Sequence, residues 1–224
     1  MDIVLLGAPG AGKGTQAQLL ADWLGVPAVS SGELFRAAME ANTPLGNQAR
    51  GYIERGVYVP DDITVQMIAE RLRQPDCAGG VILDGFPRTE AQAEALARLL
   101  GEMGRAVDLV ALIGVPTDVL VERLSGRWSC PRCGAIYHET LSPPRVAGVC
   151  DVCGGTLQRR GDDAPEVQER RIEVYLEQTA PLIAYYRERG LLVEIDGDQP
   201  IDAVQGALRE AVRRAEGASR GGLA

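Results

Sequence analysis

The sequence predicts an α/β protein whose parallel sheet is covered by helices on both faces and interrupted by two insertions. Short apolar runs alternate along the chain with segments in which apolar residues recur at helical spacing. This alternation is typical of parallel strands joined by crossover helices. The first apolar run leads directly into a glycine-rich loop, and a later segment carries two CxxC pairs. A core domain with one small helical insertion and one cysteine-rich insertion accounts for these features.

Five short apolar runs are predicted to be the strands, because parallel strands are buried on both faces. They are Ile3 to Leu6, Ala28 to Ser30, Val81 to Asp84, Leu109 to Ile113 and Leu191 to Ile195.

Helical spacing is clear in four segments between and after these strands. Pro165 suits the first turn of the last of these helices, and Pro181 should kink or break that helix. Residues 30–59 show no strand pattern and are predicted to be helical, while the tail EGASRGGLA (216–224) is predicted to fray. The apolar residues of the four helices are Ala17, Leu20, Ala21 and Leu24; Val65, Ile68, Ala69 and Leu72; Ala93, Leu96, Ala97 and Leu100; and Ile172, Tyr175, Leu176 and Thr179.

Composition and charge exclude some classes of partner. The 224 residues carry a net charge of −8, which disfavours nucleic acid as a partner. No apolar run approaches the roughly 20 residues of a membrane span, and the start MDIVLLGAPG has no signal-peptide pattern, so we expect a cytoplasmic protein with no membrane contact. Lys13 is the single lysine among the 23 basic residues.

The loop GAPGAGKGT, from Gly7 to Thr15, is predicted to bind phosphate. Its glycines allow backbone N–H groups to turn toward phosphate oxygens, the following helix adds its dipole, and Lys13 reaches the β- and γ-phosphates. The usual pattern places Ser or Thr directly after the lysine, but here Gly14 stands there. Direct binding of magnesium by Thr15 is therefore left open.

A second candidate site lies in VILDGFPR, from Val81 to Arg88. Ligands of open parallel sheets bind beyond the carboxyl ends of the strands, where Asp84 and Arg88 fall. Asp84 is a candidate to hold magnesium through water, and the planar guanidinium of Arg88 suits a phosphate group.

With these motifs in place, the chain resembles the bacterial adenylate kinases of the long, zinc-binding lid type. The matching segments occur in the family order over nearly the whole chain. They are GAPGAGKGTQAQLL, SSGELFRAA, LDGFPRT, RRGDD and QTAPLIAYY.

The resemblance implies a monomer that transfers a phosphoryl group from MgATP to AMP, with ADP as the product. It also implies a core domain of residues 1–29, 60–125 and 164–224, an AMP-binding domain of residues 30–59 and a lid of residues 126–163 that closes over ATP.

Family roles carried over by position give two nucleotide-binding sets. The catalytic cations are Lys13, Arg88, Arg123, Arg160 and Arg171. The ATP set is Gly10, Ala11, Gly12, Lys13, Gly14, Thr15, Arg123, Arg127, Ile136, Tyr137, His138 and Gln199. The AMP set is Ser31, Arg36, Val57, Tyr58, Val59, Gly85, Phe86, Pro87, Arg88, Gln92, Arg160 and Arg171.

The chemistry of phosphoryl transfer asks for the same residue types. Cationic clamping and positioning carry most of that catalysis, and no general base is required. Seven candidate cations in a chain of net charge −8 fit a cleft for anionic substrates. They are Lys13, Arg36, Arg88, Arg123, Arg127, Arg160 and Arg171.

The second insertion contains a C-x2-C-x16-C-x2-C pattern formed by Cys130, Cys133, Cys150 and Cys153. Four thiolates at this spacing can close a tetrahedral site, which favours a structural Zn²⁺ ion that staples a segment too small for its own core. Two disulfides, a redox CxxC or bound iron are the alternatives. Cys77 is left over and is predicted to be a buried, inert thiol.

Other functions stay open at this point. A kinase for UMP or CMP, or one that uses GTP as donor, would share these motifs, although the amide of Gln92 favours adenine at the acceptor site. A zinc-ribbon module that binds nucleic acid or a protein is the alternative from a different class. The acidic balance weighs against it.

Overall fold

The computed structural model describes the backbone of residues 1–221 and the side chains of residues 1–217. Its central sheet confirms the predicted α/β class: five strands, all parallel, with helices packed on both faces. In chain order the strands of this sheet are β1 (Asp2–Leu6), β2 (Ala28–Ser30), β3 (Val81–Asp84), β4 (Leu109–Gly114) and β7 (Leu192–Asp196). Their spatial order is β2-β3-β1-β4-β7.

The alternation of side chains along β1 divides the core into two halves. Ile3 and Leu5 pack on one face of the sheet against Leu20 and Leu208, whereas Val4 packs on the other. Each of these five residues is essentially inaccessible to solvent. This burial on both faces explains why the strands are continuous apolar runs rather than alternating ones.

Nine helices surround and extend this sheet in the described part of the chain. They are α1 (Lys13–Leu24), α2 (Ser31–Glu40), α3 (Pro44–Glu54), α4 (Asp61–Leu72), α5 (Glu90–Glu102), α6 (Thr117–Ser125), α7 (Pro165–Val174), α8 (Pro181–Glu188) and α9 (Ile201–Gly221).

The first insertion, residues 30–59, is helical as predicted and contains α2 and α3. Thr43 caps α3 by accepting a hydrogen bond from the backbone N–H of Gly46, and Pro44 occupies the first turn. A small cluster around Phe35 and Ala49 is the apolar core of this insertion.

The second insertion, residues 126–163, contains an antiparallel hairpin of β5 (Arg127–Ser129) and β6 (Ile136–His138), which the sequence patterns did not predict. The strands of the central sheet were predicted from apolar runs, whereas Arg127, Ser129 and His138 interrupt any such run in the hairpin. The same segment ends in a short 3₁₀ turn, Gly161–Asp163.

The predicted break at Pro181 is confirmed, and its form is a π-helical turn. Residues Tyr175–Thr179 link α7 to α8, and the N–H of Ala180 donates to the carbonyl of Tyr175, five residues earlier. Because proline has no N–H, the helix cannot continue its regular ladder there, and α8 begins at Pro181.

The C-terminal segment differs from its prediction. Helix α9 extends to Gly221 through most of the tail that was expected to fray, because its buried residues Val204, Leu208 and Val212 recur at helical spacing and dock on the core. The last three residues of the predicted tail, 222–224, lie outside the described residues.

Among the described helices, none combines the length and the apolar character needed to cross a bilayer.

Candidate active site

The glycine-rich loop between β1 and α1 has the backbone that the sequence predicts. Gly10 and Gly12 have φ values of 87° and 89°, in the left-handed region that favours glycine. A Cβ on Gly10 would also lie 2.9 Å from the carbonyl oxygen of Leu120, so the close approach of the backbone excludes a side chain. The loop therefore presents its backbone, rather than side chains, to whatever binds above it.

Lys13 begins α1 and folds back over this loop. Its ammonium donates to the carbonyl oxygens of Gly7, at 2.7 Å, and Ala8, at 2.9 Å. Burial is the main reason that the pKa of Lys13 falls from 10.5 to about 8; nearby arginines lower it further, and Asp84 opposes the shift. A bound anion, such as a phosphate group, would stabilise the charged form of this lysine.

A cavity of about 560 Å³ opens above the carboxyl ends of β1 and β3 and joins nearly all the predicted site residues. The predicted residues that line it are Gly10, Ala11, Gly12, Lys13, Gly14, Thr15, Ser31, Arg36, Val57, Tyr58, Val59, Asp84, Gly85, Pro87, Arg88, Gln92, Arg123, Arg127, Ile136, Tyr137, His138, Arg160, Arg171 and Gln199.

Phe86 differs from the rest of the predicted set. Its side chain is fully buried in the core half that contains Leu83 and Leu96, and it does not line the cavity in the described structure. The side chain of Phe86 anchors the turn after β3 instead of contacting a ligand.

Three arginines form a crowded, half-buried group on one wall of the cavity. Burial lowers the pKa values of Arg36 and Arg171, and burial together with Arg36 and Arg127 lowers the pKa of Arg160 to about 9. The Nε atom of Arg160 is buried and has no hydrogen-bond partner among the described residues. Like charges at close range, with a donor left unpaired, mark a place where an anion belongs.

Two aspartates hold this wall together. Arg171 forms an ion pair of 3.0 Å with Asp162, and Arg127 pairs with Asp163, its Nε donating to Oδ2 at 2.9 Å. Both carboxylates belong to the 3₁₀ turn that ends the second insertion. They fix two guanidinium groups before any ligand is bound.

Arg88 is positioned by the first insertion and by the π-helical turn. Its guanidinium lies 4.8 Å from the ring centre of Tyr58, and its Nε donates to the carbonyl of Gly85 at 2.6 Å. Thr179 donates to the carbonyl of Arg88 at 2.9 Å and is itself 2.8 Å from the Tyr58 hydroxyl. The turn that Pro181 imposes thus places Thr179 where it ties two segments of the cavity wall together.

The side chains of His138 and Gln199 line the cavity and are already hydrogen-bonded to protein groups. The Nδ1 atom of His138 accepts from the backbone N–H groups of Thr140 and Leu141, at 3.2 and 3.1 Å. The amide of Gln199 donates to Asp196 at 2.8 Å. The Nε2 atom of His138 lies 3.4 Å from the carbonyl oxygen of Glu122, so both ring nitrogens have protein partners.

Comparison with known proteins places this site in a family. A family model described as adenylate kinase matches residues 5–191. The chain belongs to the adenylate kinase family. It is 53% identical over 213 residues to the adenylate kinase of Symbiobacterium thermophilum, covering 95% of this chain and 99% of that one. It is also 53% identical over 214 residues to the adenylate kinase of Moorella thermoacetica, with 96% and 99% covered.

A third relative, the adenylate kinase of Geobacillus sp. strain WCH70, is 50% identical over 210 residues, covering 94% of this chain and 97% of the relative. Adenylate kinases are phosphotransferases, so the chain is an enzyme, and the prediction of a nucleotide-dependent transferase is confirmed. The nucleic-acid-binding zinc ribbon considered from the sequence is not supported.

The four cysteines predicted to bind metal form one cluster. The sulfur atoms of Cys130, Cys133, Cys150 and Cys153 all lie within 4.8 Å of one another. The Cys130–Cys153 and Cys133–Cys150 sulfur pairs are 3.5 Å apart, far beyond the roughly 2.05 Å of a disulfide. The cysteines are therefore free thiols arranged as a four-sulfur donor set for a metal ion, and the disulfide alternative is not realised.

Tyr137 connects this cluster with the cavity. Its hydroxyl lies 3.5 Å from the sulfur of Cys150 and accepts from the N–H of Asp151 at 2.8 Å. The hydrogen bond between the Tyr137 hydroxyl and the Cys150 sulfur lowers the pKa of the Cys150 thiol, which favours the thiolate that a metal ion requires. A donor to the sulfur also orients the ligand, as partners of metal ligands commonly do.

The second insertion lies close over the cavity. A Cβ on Gly14 of the glycine-rich loop would be 3.0 Å from the Cδ1 atom of Ile136. A Cβ on Gly134 would be 3.2 Å from the carboxylate of Glu33, in the first insertion. The two insertions therefore approach each other above the cavity, and the structure is a closed one.

Sequence reasoning missed several residues that support the site. Asp162 and Asp163 lie within the quoted segment RRGDD, but their carboxylates were not assigned. Glu33 lies close enough to Asp84 for that carboxylate to raise its pKa, after the larger effect of burial. Thr179 lies within the quoted segment QTAPLIAYY, but its hydroxyl was given no role, and Asp61 lies in none of the quoted segments. A signal for the contact itself existed only for Asp162 and Asp163, because acids next to clustered arginines predict ion pairs.

Proposed function

We propose that the protein catalyses the reversible transfer of the γ-phosphoryl group from MgATP to AMP, giving two ADP, and so balances the adenine nucleotides of the cell. The observation that carries this proposal is the cation group between the glycine-rich loop and Gln92. One cavity contains Lys13 and the arginines, and the buried Nε of Arg160 has no partner within the described chain. Such an arrangement suits two phosphate chains that meet end to end.

The proposed ATP side lies over the glycine-rich loop. The backbone N–H groups of Gly10 to Thr15 would cradle the phosphates, and Lys13 would leave its two carbonyl partners to reach them. Arg123 donates to the carbonyl of Gly197 at 2.9 Å, so its guanidinium is held at the cavity edge beside Gln199. We assign the base of ATP to the space between Arg123, His138 and Gln199.

The proposed AMP side lies under the first insertion. Arg36 and Arg88 would bind the phosphate of AMP, and the segment Val57 to Val59 would flank its base. Gln92 is 1% exposed and lines the cavity, where it would meet the edge of the base.

The chemistry that follows needs no general base. The transition state of phosphoryl transfer spreads charge over its equatorial oxygens, and fixed cations stabilise that charge best when water is excluded. Arg160 and Arg171 would contact the transferred group from one side, and Lys13 from the other. Closure of the second insertion over Gly14 keeps water from the reacting phosphate.

Magnesium fits the oxygen groups next to the glycine-rich loop. Asp84 and Thr15 both line the cavity there, and a Cβ on Gly14 would be 3.5 Å from the Asp84 carboxylate. When bound with ATP, the ion neutralises phosphate charge and orients the triphosphate for attack. We assign Asp84 to hold it through water and leave Thr15 as a second candidate.

The metal of the cysteine cluster is proposed to be structural zinc. Four sulfurs about 2.3 Å from a zinc ion form a tetrahedron with edges of about 3.8 Å, close to the 3.5 Å pairs observed. The sulfurs of Cys130, Cys133, Cys150 and Cys153 would fill all four ligand positions, which would leave no place for substrate. We propose residues 126–163 as a zinc-stapled lid, residues 30–59 as the AMP-binding domain and the remainder as the core of a cytoplasmic monomer.

The test is a phosphorus NMR time course with MgATP and, in separate samples, AMP, UMP, CMP, GMP or no acceptor. We expect fast ADP formation with AMP and no ATP loss without an acceptor. Turnover with another monophosphate in place of AMP would contradict the proposed acceptor, and no transfer at all would contradict the assignment of the site.

A matched pair of variants tests the cation group. Arg160→Ala should lower kcat at least a hundredfold, as expected for loss of a group that contacts the transition state. Arg159→Ala removes the same charge from the neighbouring residue, which is exposed and paired with Glu139. It should leave kcat within about twofold, and equal effects of the two changes would argue against the proposal.

A further inference from the structure

The amide of Gln92 is already held by two protein groups of opposite kind. Its Nε2 donates to the Oδ1 atom of Asp61 at 2.6 Å, and its Oε1 accepts from the backbone N–H of Arg88 at 2.8 Å. Gln92 is buried and lines the cavity, whereas Asp61 does not line it within the described chain.

These two partners determine which way the amide faces. A carboxylate can only accept a hydrogen bond and a backbone N–H can only donate one. Rotating the amide by 180° would place its oxygen against the Asp61 carboxylate and its NH₂ group against the Arg88 N–H, so both contacts would become repulsive. The orientation is therefore fixed by chemistry.

Asp61 is itself held in place. Its second carboxylate oxygen accepts from the hydroxyl of Thr89 at 2.9 Å, and that hydroxyl accepts from the backbone N–H of Gln92 at 3.2 Å. Thr89 is also the N-cap of α5, so the network is anchored to the start of that helix. Asp61 thus links the first turn of α4 to the first turn of α5.

We propose that Asp61 is a positioning residue that makes the acceptor site select a 6-aminopurine over a 6-oxopurine. The amide keeps one N–H and one oxygen lone pair for a ligand. Adenine offers an acceptor at N1 and a donor at its amino group, and hypoxanthine or guanine offers the reverse. An amide of fixed orientation matches only one of these two edges, and Asp61 supplies half of what fixes it.

This inference rests on the proposed function, since it assigns the specificity of the same acceptor site. IMP is the sharpest probe, because it differs from AMP only in the purine edge that Gln92 would meet. The experiment compares kcat/KM for AMP and for IMP, with MgATP as donor, in the full-length protein and its variants.

Asp61→Ala is expected to lower the AMP-to-IMP ratio of kcat/KM about tenfold, through a higher KM for AMP, with kcat at saturating AMP within about twofold. Asp61→Ser, whose hydroxyl is too short to hold the amide, should lower the ratio by a similar factor. It replaces Asp61→Ala in the experiment if the alanine variant does not fold. Asp61→Asn can still present an oxygen to Gln92 and should retain the ratio within about threefold.

Asp62→Ala is the matched control. Asp62 also lies in the first turn of α4 and carries the same charge, but it is exposed and makes no side-chain hydrogen bond or ion pair among the described residues. It should leave the ratio unchanged. Thermal melts of each variant separate a loss of folding from a loss of specificity.

The outcomes distinguish the inference from the function on which it rests. Wild-type protein that does not phosphorylate AMP would refute the proposed function. Wild-type protein that turns over AMP, with Asp61 variants that lower AMP and IMP turnover equally, would refute the inference alone. An equal change of the ratio in Asp62→Ala would also refute it, because the effect would then be one of charge rather than of orientation.

Discussion

At the scale of single residues, Lys13 must carry a positive charge to bind phosphate, but its burial disfavours that charge. The glycine-rich loop holds its ammonium in a half-buried place among arginines, and this lowers its pKa to about 8. The loop carbonyls of Gly7 and Ala8 offset part of that cost by accepting hydrogen bonds. Because this is the only lysine of the chain, its titration is free of interference from other lysines.

The first prediction is a pH dependence. Since Lys13 loses its proton above about pH 8, kcat/KM for MgATP should fall as the pH rises through that value. Bound phosphates raise the pKa of the lysine, so kcat should stay level to higher pH. Lys13→Arg keeps the charge throughout and should abolish the alkaline fall in kcat/KM while lowering activity overall. A fall of the same midpoint in that variant would assign the titration to another group.

Stability should move in the opposite direction from activity. The unfolded lysine keeps its proton up to its ordinary pKa of 10.5, whereas the folded one loses it near 8, so the unfolded state binds more protons between these values. The contribution of Lys13 to the free energy of unfolding therefore rises with pH from about 8 to 10.5. Denaturant unfolding of wild type and Lys13→Arg across this window measures the difference.

At the scale of elements, the second insertion is a segment with very little apolar core of its own. Its apolar cluster contains Tyr137, Leu157 and little else besides the cysteines themselves. Two three-residue strands and so small a core cannot hold about forty residues in one shape. We propose that a metal ion held by the four-sulfur cluster supplies the missing constraint; Tyr137, in β6, contacts both this cluster and the cavity.

The second prediction concerns that cluster. Cys133→Ser should lower the bound metal from one ion per chain to well below one, and should add an early, separate thermal transition as the lid unfolds. Activity should fall because the closed cavity no longer forms. Cys77→Ala is the control: Cys77 is buried in the core half around Ile68 and Leu72, so this change should leave the metal content at one. Full metal content in Cys133→Ser would show that the cluster is not the metal site.

At the scale of the whole molecule, charge is distributed unevenly. The chain carries a net charge of −8, yet seven cations among the described side chains line one cavity. The acidic exterior keeps the protein apart from other polyanions, while the cavity attracts small ones. Asp162 and Asp163 orient Arg171 and Arg127 before an anion binds. These two carboxylates do not neutralise all seven cations, so the cavity can still attract anions.

The third prediction follows from this distribution. Raising the KCl concentration from about 0.05 to 0.5 M shortens the screening length to a few ångströms, so KM for AMP should rise severalfold. The value of kcat should change little, because bound substrate displaces water and salt from the closed cavity. Sucrose at equal osmolality should have no such effect. An unchanged KM would indicate that the cavity cations are paired before substrate arrives.

The sequence by itself determined the five strands of the parallel sheet, the glycine-rich loop and the cysteine cluster. Each of these is a local pattern: burial on both faces makes a strand apolar throughout, close approach of backbone demands glycine, and four thiols at short spacing can meet without the rest of the fold. The resemblance of whole motifs to a family then joined these local signals into one site.

Only the tertiary structure decided how distant groups restrain one another. Asp61 and Gln92 are 31 positions apart and meet because α4 and α5 begin side by side. Thr179 reaches Arg88 because a π-helical turn precedes Pro181. Neither a period nor a motif tells which side chain orients another, since the partner depends on how elements pack. Function-bearing contacts of this kind appear only when the chain is folded.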